Sequence, residues 1–263
     1  MDIKQFQDIL WQKGNELYRD MPWRQDTRPY YILVSELMLQ QTQVDRVVPK
    51  FESFIATFPD EKTLSDAPLA EVVKQWQGLG YNRRAKFLHD SVKQIVEAGS
   101  FPSDEQTLVS LPGVGKNTAG AIRVYAFNEP SLFIETNVRA VYIHHFFGDS
   151  DAVSDKEIEQ ILLRTIDYEH PREFYWAVMD YGNWLKKQGV KPSRSIHYRK
   201  QAVLQGSVRE VRGQLLTLLA EGNQSMQQLE IRYADDDRLM MAMNGLIVDG
   251  LIMTDDDQVY LTK

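Results

Sequence analysis

Two glutamates of this 263-residue chain lie in apolar runs, where an unpaired carboxylate is costly. Glu36 lies within Val34–Leu39, and Glu135 lies within Ile134–Val138. Carboxyl groups in two different environments allow general acid–base chemistry, because burial keeps one protonated while the other stays ionised. We therefore expect Glu36 to be an acid and Glu135 to be a charge-stabilising carboxylate. The alternatives are a structural Glu36 paired to an arginine and a Glu135 that only caps the following helix.

A Pro-Gly-Val-Gly turn lies between these two glutamates in the chain. Within Leu111–Ile122, Pro112 and Gly113 make a tight turn, and Gly115 leads into a predicted helix. Amides at the start of that helix point outward, and the helix dipole favours an anion there. The pattern predicts a backbone grip on one DNA phosphate by Val114, Gly115, Lys116, Asn117 and Thr118. The alternative is a plain helix connection, with Lys116 a solvated side chain.

Further short matches link the chain to one family. They are Met21-Pro22-Trp23-Arg24, Pro29-Tyr30, Ser35-Glu36 through Val44, Gly78-Leu79-Gly80-Tyr81, Arg83, Ala85, Leu111 to Gly115, Thr118 to Ile122, Asn137-Val138 and Met179-Asp180-Tyr181-Gly182. With these residues the chain resembles the helix-hairpin-helix DNA glycosylases. Within them it is most similar to the adenine glycosylases that act opposite guanine or 8-oxoguanine (the MutY type). The run Glu36–Val44 is specific to that type, whereas the hairpin marks only the wider superfamily.

The resemblance implies hydrolysis of an N-glycosidic bond after a base has been flipped out of the duplex. It places at Glu36 the glutamate that protonates adenine, and at Glu135 the carboxylate that faces the sugar. The family normally has aspartate at the second position. The additional methylene moves the carboxylate by about 1.5 Å, and such a displacement can lower the rate heavily. This departure bears on both activity and substrate.

The resemblance also implies a DNA-binding surface formed by Gln41, Tyr81, Asn82 and Arg83. Gln41 matches the residue that wedges into the duplex beside the flipped base; the alternative is an ordinary exposed glutamine. Tyr81 either stacks in the interface or packs in the core. Asn82 replaces a tyrosine that adenine glycosylases commonly intercalate next to 8-oxoguanine, and asparagine cannot stack in that way.

Asn117 matches the position at which related bifunctional lyases carry a Schiff-base lysine. Lys116 comes one residue earlier and would point about 100° away on a helix. We therefore expect a monofunctional glycosylase without AP-lyase activity.

Composition limits the cofactors and the compartment. The sequence has no cysteine, which excludes disulfides and a cysteine-ligated iron–sulfur cluster. The resemblance would place four cluster cysteines after Gly182, so we expect no cofactor and no metal. His144 and His145 lie on an apolar predicted helix and are expected in the core. Neither a signal peptide nor a run of about twenty apolar residues occurs, which predicts a cytoplasmic protein, nucleoid-associated if prokaryotic, without membrane contact.

The formal net charge of -7 argues against a protein that coats DNA non-specifically. The charge is uneven, however. The stretch Lys186–Arg212 contains Lys186, Lys187, Lys191, Arg194, Arg199, Lys200, Arg209 and Arg212 against Glu210 alone. This basic stretch predicts phosphate contacts; the alternative is a solvated surface.

Helical spacing of apolar residues dominates the first 205 residues. We expect residues 1–205 to form an all-α glycosylase domain of two lobes, with the site in the cleft between them and no strand before residue 245. Residues 206–263 resemble a winged helix, with a third helix at Asp235–Asp249. Because that helix opens with three aspartates, we expect it to contact the catalytic domain, a second copy or a protein partner rather than DNA. The resemblance would instead place an 8-oxoguanine-verifying domain here.

The first hypothesis is thus a cluster-free, monofunctional glycosylase of base excision repair. Its partner would be double-stranded DNA with a mispaired or damaged base, adenine opposite guanine or 8-oxoguanine foremost. Thymine or uracil opposite guanine, or a modified purine, stays open. The second hypothesis is a non-catalytic DNA-binding or adaptor protein on the same fold.

Overall fold

The computed structural model describes residues 1–148, 150, 152–191, 194–197 and 203–262. Most of these residues are helical, which confirms the predicted all-α class with a small C-terminal sheet. The elements are α1 (Ile3–Glu16), α2 (Pro22–Gln25), α3 (Pro29–Leu39), α4 (Val44–Thr57), α5 (Glu61–Asp66), α6 (Leu69–Trp76), α7 (Arg83–Ala98), α8 (Glu105–Ser110), α9 (Lys116–Phe127), α10 (Thr136–Phe146), α11 (Asp155–Thr165), α12 (Pro171–Lys187), α13 (Val208–Glu221), β1 (Gln224–Ser225), α14 (Met226–Arg232), α15 (Arg238–Val248), β2 (Ile252–Asp255) and β3 (Gln258–Leu261).

The chain divides into two compact units that do not follow chain order. Unit 1 comprises Met1–Ile32, Ser103–Val109 and the described residues of Val114–Gln201. Unit 2 comprises Leu33–Pro102, Ser110–Gly113 and the described residues of Ala202–Lys263. The C-terminal residues therefore cluster with the segment that follows Ile32. The predicted division at residue 205 and the predicted location of the site in a cleft stay predictions.

In unit 1, α12 packs against both α10 and α1. The ring of Tyr175 on α12 stacks on Phe133, with 4.0 Å between the ring centroids. The Tyr175 hydroxyl accepts from the Phe133 amide at 3.2 Å and donates to the Ser131 carbonyl at 3.1 Å. A side chain of α12 thereby fixes the segment that leads to Glu135.

A buried ion-pair cluster joins α12 to the start of the chain. Asp180 accepts from Nη1 and Nη2 of Arg24 at 2.6 and 3.1 Å, and from Nε of Arg19 at 2.6 Å. The side chains of Arg24 and Asp180 are only 2% and 1% exposed. In such surroundings each charge depends on the other. The cluster also fixes α2, a single helical turn with proline at its start.

In unit 2, α7 packs on α5 and α6. Trp76 of α6 is fully buried, and its ring meets Phe54 of α4 edge-on at 6.1 Å between centroids. His89 of α7 hydrogen bonds to the Ala67 carbonyl at 3.0 Å. These apolar faces match the helical spacing of the sequence.

The C-terminal residues of unit 2 form α13, α14, α15 and an antiparallel sheet in the order β1-β3-β2. A capping box opens α14: Ser225 Oγ accepts from the Gln228 amide at 3.1 Å, and Gln228 Oε1 accepts from the Ser225 amide at 2.7 Å. The expectation of no strand before residue 245 was wrong, because β1 pairs with β3. A two-residue strand is too short to show a periodic pattern.

The third helix of this region begins at Arg238, not at Asp235 as predicted. The Asp236 carboxylate accepts from the Arg238 amide at 3.0 Å and from its guanidinium at 2.7 and 2.6 Å. Such a local bond competes with helix formation and places the aspartate before the helix.

The expectation for the two histidines of α10 was wrong for His144, which is exposed. His145 is partly buried, hydrogen bonds to the Tyr181 hydroxyl at 3.0 Å, and has its pKa lowered to about 4 by burial. Among the described residues no cluster of three or more histidine or acidic side chains is arranged to hold a metal ion. Within the same residues, every helix is too short or too polar to span a membrane.

Candidate active site and nucleic-acid interface

Glu36 lies on α3 between side chains that are fully buried. Ser35, Leu37 and Met38 are each 0% exposed, and Glu36 itself is partly buried. An apolar surrounding disfavours the ionised form of a carboxyl group. This position suits the predicted acid, whose role stays a prediction.

A buried arginine that was not among the predicted site residues, Arg84, holds the end of α3. Its guanidinium donates to the carbonyls of Leu37 (2.6 Å), Met38 (2.9 Å), Gln40 (2.6 Å), Leu79 (3.3 Å), Gly80 (2.9 Å) and Tyr81 (3.3 Å), and to Thr42 Oγ1 (3.1 Å). Burial lowers the pKa of Arg84 to about 10, so the group is still charged at neutral pH. One side chain thus ties the turn at residues 40–42 to the loop at residues 78–82.

Gln41 is exposed at the tip of this turn and has a φ of 57°. Non-glycine residues are uncommon in this left-handed region. Both neighbours are anchored: Gln40 Nε2 donates to the Gly113 carbonyl at 3.1 Å, and Thr42 Oγ1 donates to the Leu79 carbonyl at 3.2 Å. The geometry suits the predicted wedge, because the exposed side chain stands on a fixed backbone.

Tyr81, Asn82 and Arg83 lie together at the start of α7. Tyr81 is partly buried with a φ of 48°, and the guanidinium groups of Arg84 and Arg209 lie 5.5 and 5.2 Å from its ring centroid. Asn82 precedes the helix without a side-chain cap bond. Arg83 is exposed and pairs with Asp249 at 3.3 Å. These residues adjoin one another, and their contacts with DNA stay predictions.

The hairpin turn is fixed within unit 2 by its carbonyl groups. Ser91 Oγ donates to the Pro112 carbonyl at 2.8 Å, and Gln40 bonds to Gly113 as described above. Gly113 has a φ of 77°, and an added Cβ would lie 2.9 Å from the Phe87 side chain. Glycine is therefore required here for both conformation and space.

In unit 1 the chain enters α9 at Gly115, its N-cap. Gly115, Lys116 and Asn117 are exposed, whereas Val114 and Thr118 are buried. Of the five residues predicted to grip a phosphate, Val114 and Thr118 can thus contribute only through the backbone. The first amide bonded within the helix is that of Ala119, to the Gly115 carbonyl at 2.8 Å.

The Asn117 side chain also has a structural partner. Its Nδ2 donates to the Ile134 carbonyl at 3.1 Å, and its Oδ1 accepts from the Ile134 amide at 3.3 Å. Asn117 therefore connects α9 to the residue before Glu135.

Glu135 is the N-cap residue of α10 but makes no side-chain capping bond, which argues against the capping alternative. Burial raises its pKa, while the charges of Arg139 and Lys186 oppose that rise. Arg139 is held by Asp155, to which its Nε and Nη2 donate at 2.8 and 2.7 Å. Burial lowers the pKa of Lys186. Unlike Arg139, Lys186 makes no ion pair with a carboxylate at hydrogen-bond distance among the described residues.

The backbone after Glu135 is closely packed on α12. A Cβ at Gly182 would overlap the Asn137 carbonyl. Asn137 Nδ2 donates to the Met179 sulfur at 3.5 Å, while its buried Oδ1 has no hydrogen-bond partner among the described residues. A buried acceptor without a hydrogen bond is costly. Asn137 is therefore a second polar group, besides Glu135, at the start of α10.

Only part of the basic stretch Lys186–Arg212 lies within the described residues. Arg199 and Lys200 lie outside the described residues. Lys187 and Lys191 are exposed, while Arg194 donates to the carbonyls of Gly148 and Ser150. The predicted contact of the stretch Lys186–Arg212 with phosphates stays a prediction.

The chain has a Gly-x-Gly turn between α8 and α9, and its helical fold is that of solved DNA glycosylases. Solved structures with this fold include a thermostable thymine-DNA glycosylase (24% identity, TM-score 0.60, covering 68% of this chain and 85% of that chain). A trapped endonuclease III–DNA covalent intermediate is also similar (20% identity, TM-score 0.60, covering 70% and 87%).

The chain belongs to the HhH-GPD superfamily of base excision DNA repair proteins, whose family model matches residues 34–167. It is 32% identical over 262 residues to the adenine DNA glycosylase of Mycolicibacterium smegmatis, covering 89% of this chain and 88% of that protein. The adenine DNA glycosylase of Buchnera aphidicola subsp. Baizongia pistaciae is 38% identical over 170 residues, covering 62% and 48%. The match thus spans about half the length of the Buchnera relative. The mouse adenine DNA glycosylase is 32% identical, covering 82% and 44%.

Proposed function

We propose that this protein is a monofunctional DNA glycosylase that removes adenine mispaired with guanine or 8-oxoguanine. The observation that carries the proposal is the relationship to a curated adenine DNA glycosylase over nearly the whole of both chains. The settings of Glu36 and Glu135 support it, because the reaction needs an acid and a second carboxylate.

In this proposal Glu36 donates a proton to the adenine as the bond between base and sugar breaks. Glu36 is partly buried on α3, whose neighbouring side chains are buried, and a general acid must carry its proton before this step. The turn that carries Gln41 follows at the end of the same helix. Through Arg84, acid and wedge are held on one rigid segment.

Glu135 balances the positive charge that develops on the sugar or activates the attacking water. Its carboxylate must be ionised for either role, and Lys186 and Arg139 favour that form. The backbone at residues 114–118 would hold a phosphate of the flipped nucleotide's strand by its amides.

The same proposal includes the absence of an AP-lyase step. Asn117 stands at the position of the Schiff-base lysine of related lyases, and its amide is bonded to Ile134. The chain also lacks the thiolates that an iron–sulfur cluster requires, so its residues do not fit that group.

Base release from defined duplexes tests the proposal. The panel contains adenine opposite 8-oxoguanine, guanine and cytosine, thymine and uracil opposite guanine, hypoxanthine and alkylated purines. We expect adenine release opposite guanine or 8-oxoguanine, with strand cleavage only after alkali. Glu36→Gln should abolish release and retain duplex binding. Release of another base alone would reassign the substrate, and binding without release from any duplex would favour the adaptor hypothesis.

A further inference from the structure

The C-terminal region of unit 2 contacts the same residues that the proposed function places on DNA. Helix α13 packs on α6, with Leu215, Leu216 and Leu219 buried. Gln77 Nε2, next to the loop at residues 78–82, donates to the Leu216 carbonyl at 3.3 Å. The loop is therefore bordered by the C-terminal region.

The principal contact is between Arg209 in the first turn of α13 and Tyr81. Arg209 Nη1 donates to the Tyr81 hydroxyl, and its guanidinium lies 5.2 Å from the ring centroid. A cation at this distance from an aromatic ring is attracted to it. Tyr81 has a left-handed backbone, a conformation that costs about 1–2 kcal/mol for a residue with a Cβ and persists only where the surroundings hold it.

Two further contacts lie along the same edge of α7. Asp249 at the end of α15 pairs with Arg83 at 3.3 Å and also accepts from Arg212. An added Cβ at Gly250 would lie 2.9 Å from Lys86 Cε. Positions 81, 83 and 86 thus each meet the C-terminal region.

We propose that the C-terminal region positions the DNA-binding loop at residues 78–82, with Arg209 as the positioning residue. This inference rests on the proposed function, and it gives the region a role in recognising the duplex opposite the flipped base. Arg209 acts through Tyr81: it holds the ring against the protein and so fixes the direction in which Asn82 leaves the loop. The third helix of this region, α15, does not need to touch DNA for this role.

The test uses the full chain and two measurements. The first is the Kd for duplexes with a non-cleavable abasic-site analogue opposite 8-oxoguanine, guanine or cytosine. The second is the single-turnover rate of base release at saturating enzyme. Arg209→Met removes the donors and the charge, and Arg209→Lys restores a donor. Arg232→Met, at an exposed arginine of α14, is the matched loss of one positive charge.

We expect Arg209→Met to weaken binding about fivefold and to reduce the preference among opposite bases, with the saturated rate unchanged, as for a coupling of contacting residues. Arg209→Lys should recover part of the affinity. Tyr81→Phe should weaken binding less, and combining it with Arg209→Met should add less than the two separate effects. Equal Kd values and preferences for Arg209→Met and Arg232→Met would overturn the inference, because bulk charge would then explain the loss.

Failure of the inference and of the proposed function give different results. An Arg209 effect on binding in a protein that releases no adenine would retain the inference and refute the function. Adenine release by the wild-type protein, together with unchanged duplex binding by Arg209→Met, would retain the proposed function and refute the inference. Absence of duplex binding by the wild-type protein would refute both.

Discussion

The side-chain amide of Asn117 lies against the main chain of Ile134, donating to its carbonyl at 3.1 Å and accepting from its amide at 3.3 Å. Ile134 is buried and immediately precedes Glu135. One polar side chain at the start of α9 therefore supports the backbone that carries a proposed catalytic carboxylate. The start of α9 and the backbone before Glu135 are connected through this pair within unit 1.

Replacing Asn117 with Ala should affect both stability and chemistry. Two hydrogen bonds are lost and two buried main-chain groups lose a partner, so we expect the free energy of unfolding to fall by about 1–3 kcal/mol. Displacement of Glu135 should lower the single-turnover rate of base release by at least about tenfold. Urea unfolding and rapid-quench assays measure the two effects. Lys116→Ala, at the exposed neighbour, should retain full stability; equal losses in the two variants would contradict this role of Asn117.

The stability of unit 2 should depend strongly on Arg84. Arg84→Lys keeps the charge but cannot reach six carbonyl groups at once, because an ammonium has three donors. We expect a loss of about 3–5 kcal/mol in unfolding free energy, since buried acceptors are left unsatisfied. Arg83→Lys, at the exposed neighbour, should change the free energy of unfolding measured in urea by less than about 1 kcal/mol. A stable Arg84→Lys protein would show that the carbonyl groups find other partners.

The pH dependence of base release should depend on Lys186. Burial raises the pKa of Glu135, so the ionised form is lost on acidification at a higher pH than for an ordinary glutamate. Lys186 lowers that pKa, and Arg139 is already engaged by Asp155. In Lys186→Met the acidic limb of the pH–rate profile should move to still higher pH. Lys187→Met, at the exposed next residue, should leave it in place. An unchanged limb in both variants would exclude Lys186 as the counter-charge.

The two arginines of the Asp180 cluster should differ in importance. Arg24→Met leaves a carboxylate that is 1% exposed with one partner fewer, and we expect a loss of about 3–5 kcal/mol in unfolding free energy. Arg19 is 31% exposed, so Arg19→Met should cost less, about 1–2 kcal/mol. Thermal and urea unfolding compare the pair. A larger loss for Arg19→Met would mean that the more exposed contact dominates the cluster.

Local patterns predicted the class of the fold correctly. Apolar residues at helical spacing predicted the helices that the described part of residues 1–205 forms. Errors occurred where a local side-chain bond or a distant partner decides the structure. Asp236 bonds to Arg238 instead of joining α15, and β1 exists only because β3 pairs with it.

The candidate site residues were chosen by type and spacing and stay predictions, whereas the contacts that hold them in place could not be predicted. Arg84 is one of several basic residues at the start of α7, and the local sequence does not distinguish it. Its acceptors lie up to 47 residues away in the chain. The bond from Asn117 to Ile134 spans 17 residues. Arg209 and Tyr81 are separated by 128. No periodicity or motif encodes such long-range contacts, so they emerge only from the folded chain.

Because Gly182 has no side chain, α12 packs directly against the backbone of the first turn of α10. The backbone of Gly182 lies so close to the Asn137 carbonyl that even a methyl group has no room, and Asn117 restrains Ile134 on the preceding side. The main chain therefore has no freedom to retreat when a longer side chain occupies position 135. A Glu135→Asp exchange therefore shortens the side chain by one bond on a closely packed backbone, so its effect on the rate of base release tests the proposed position of the carboxylate beside the sugar.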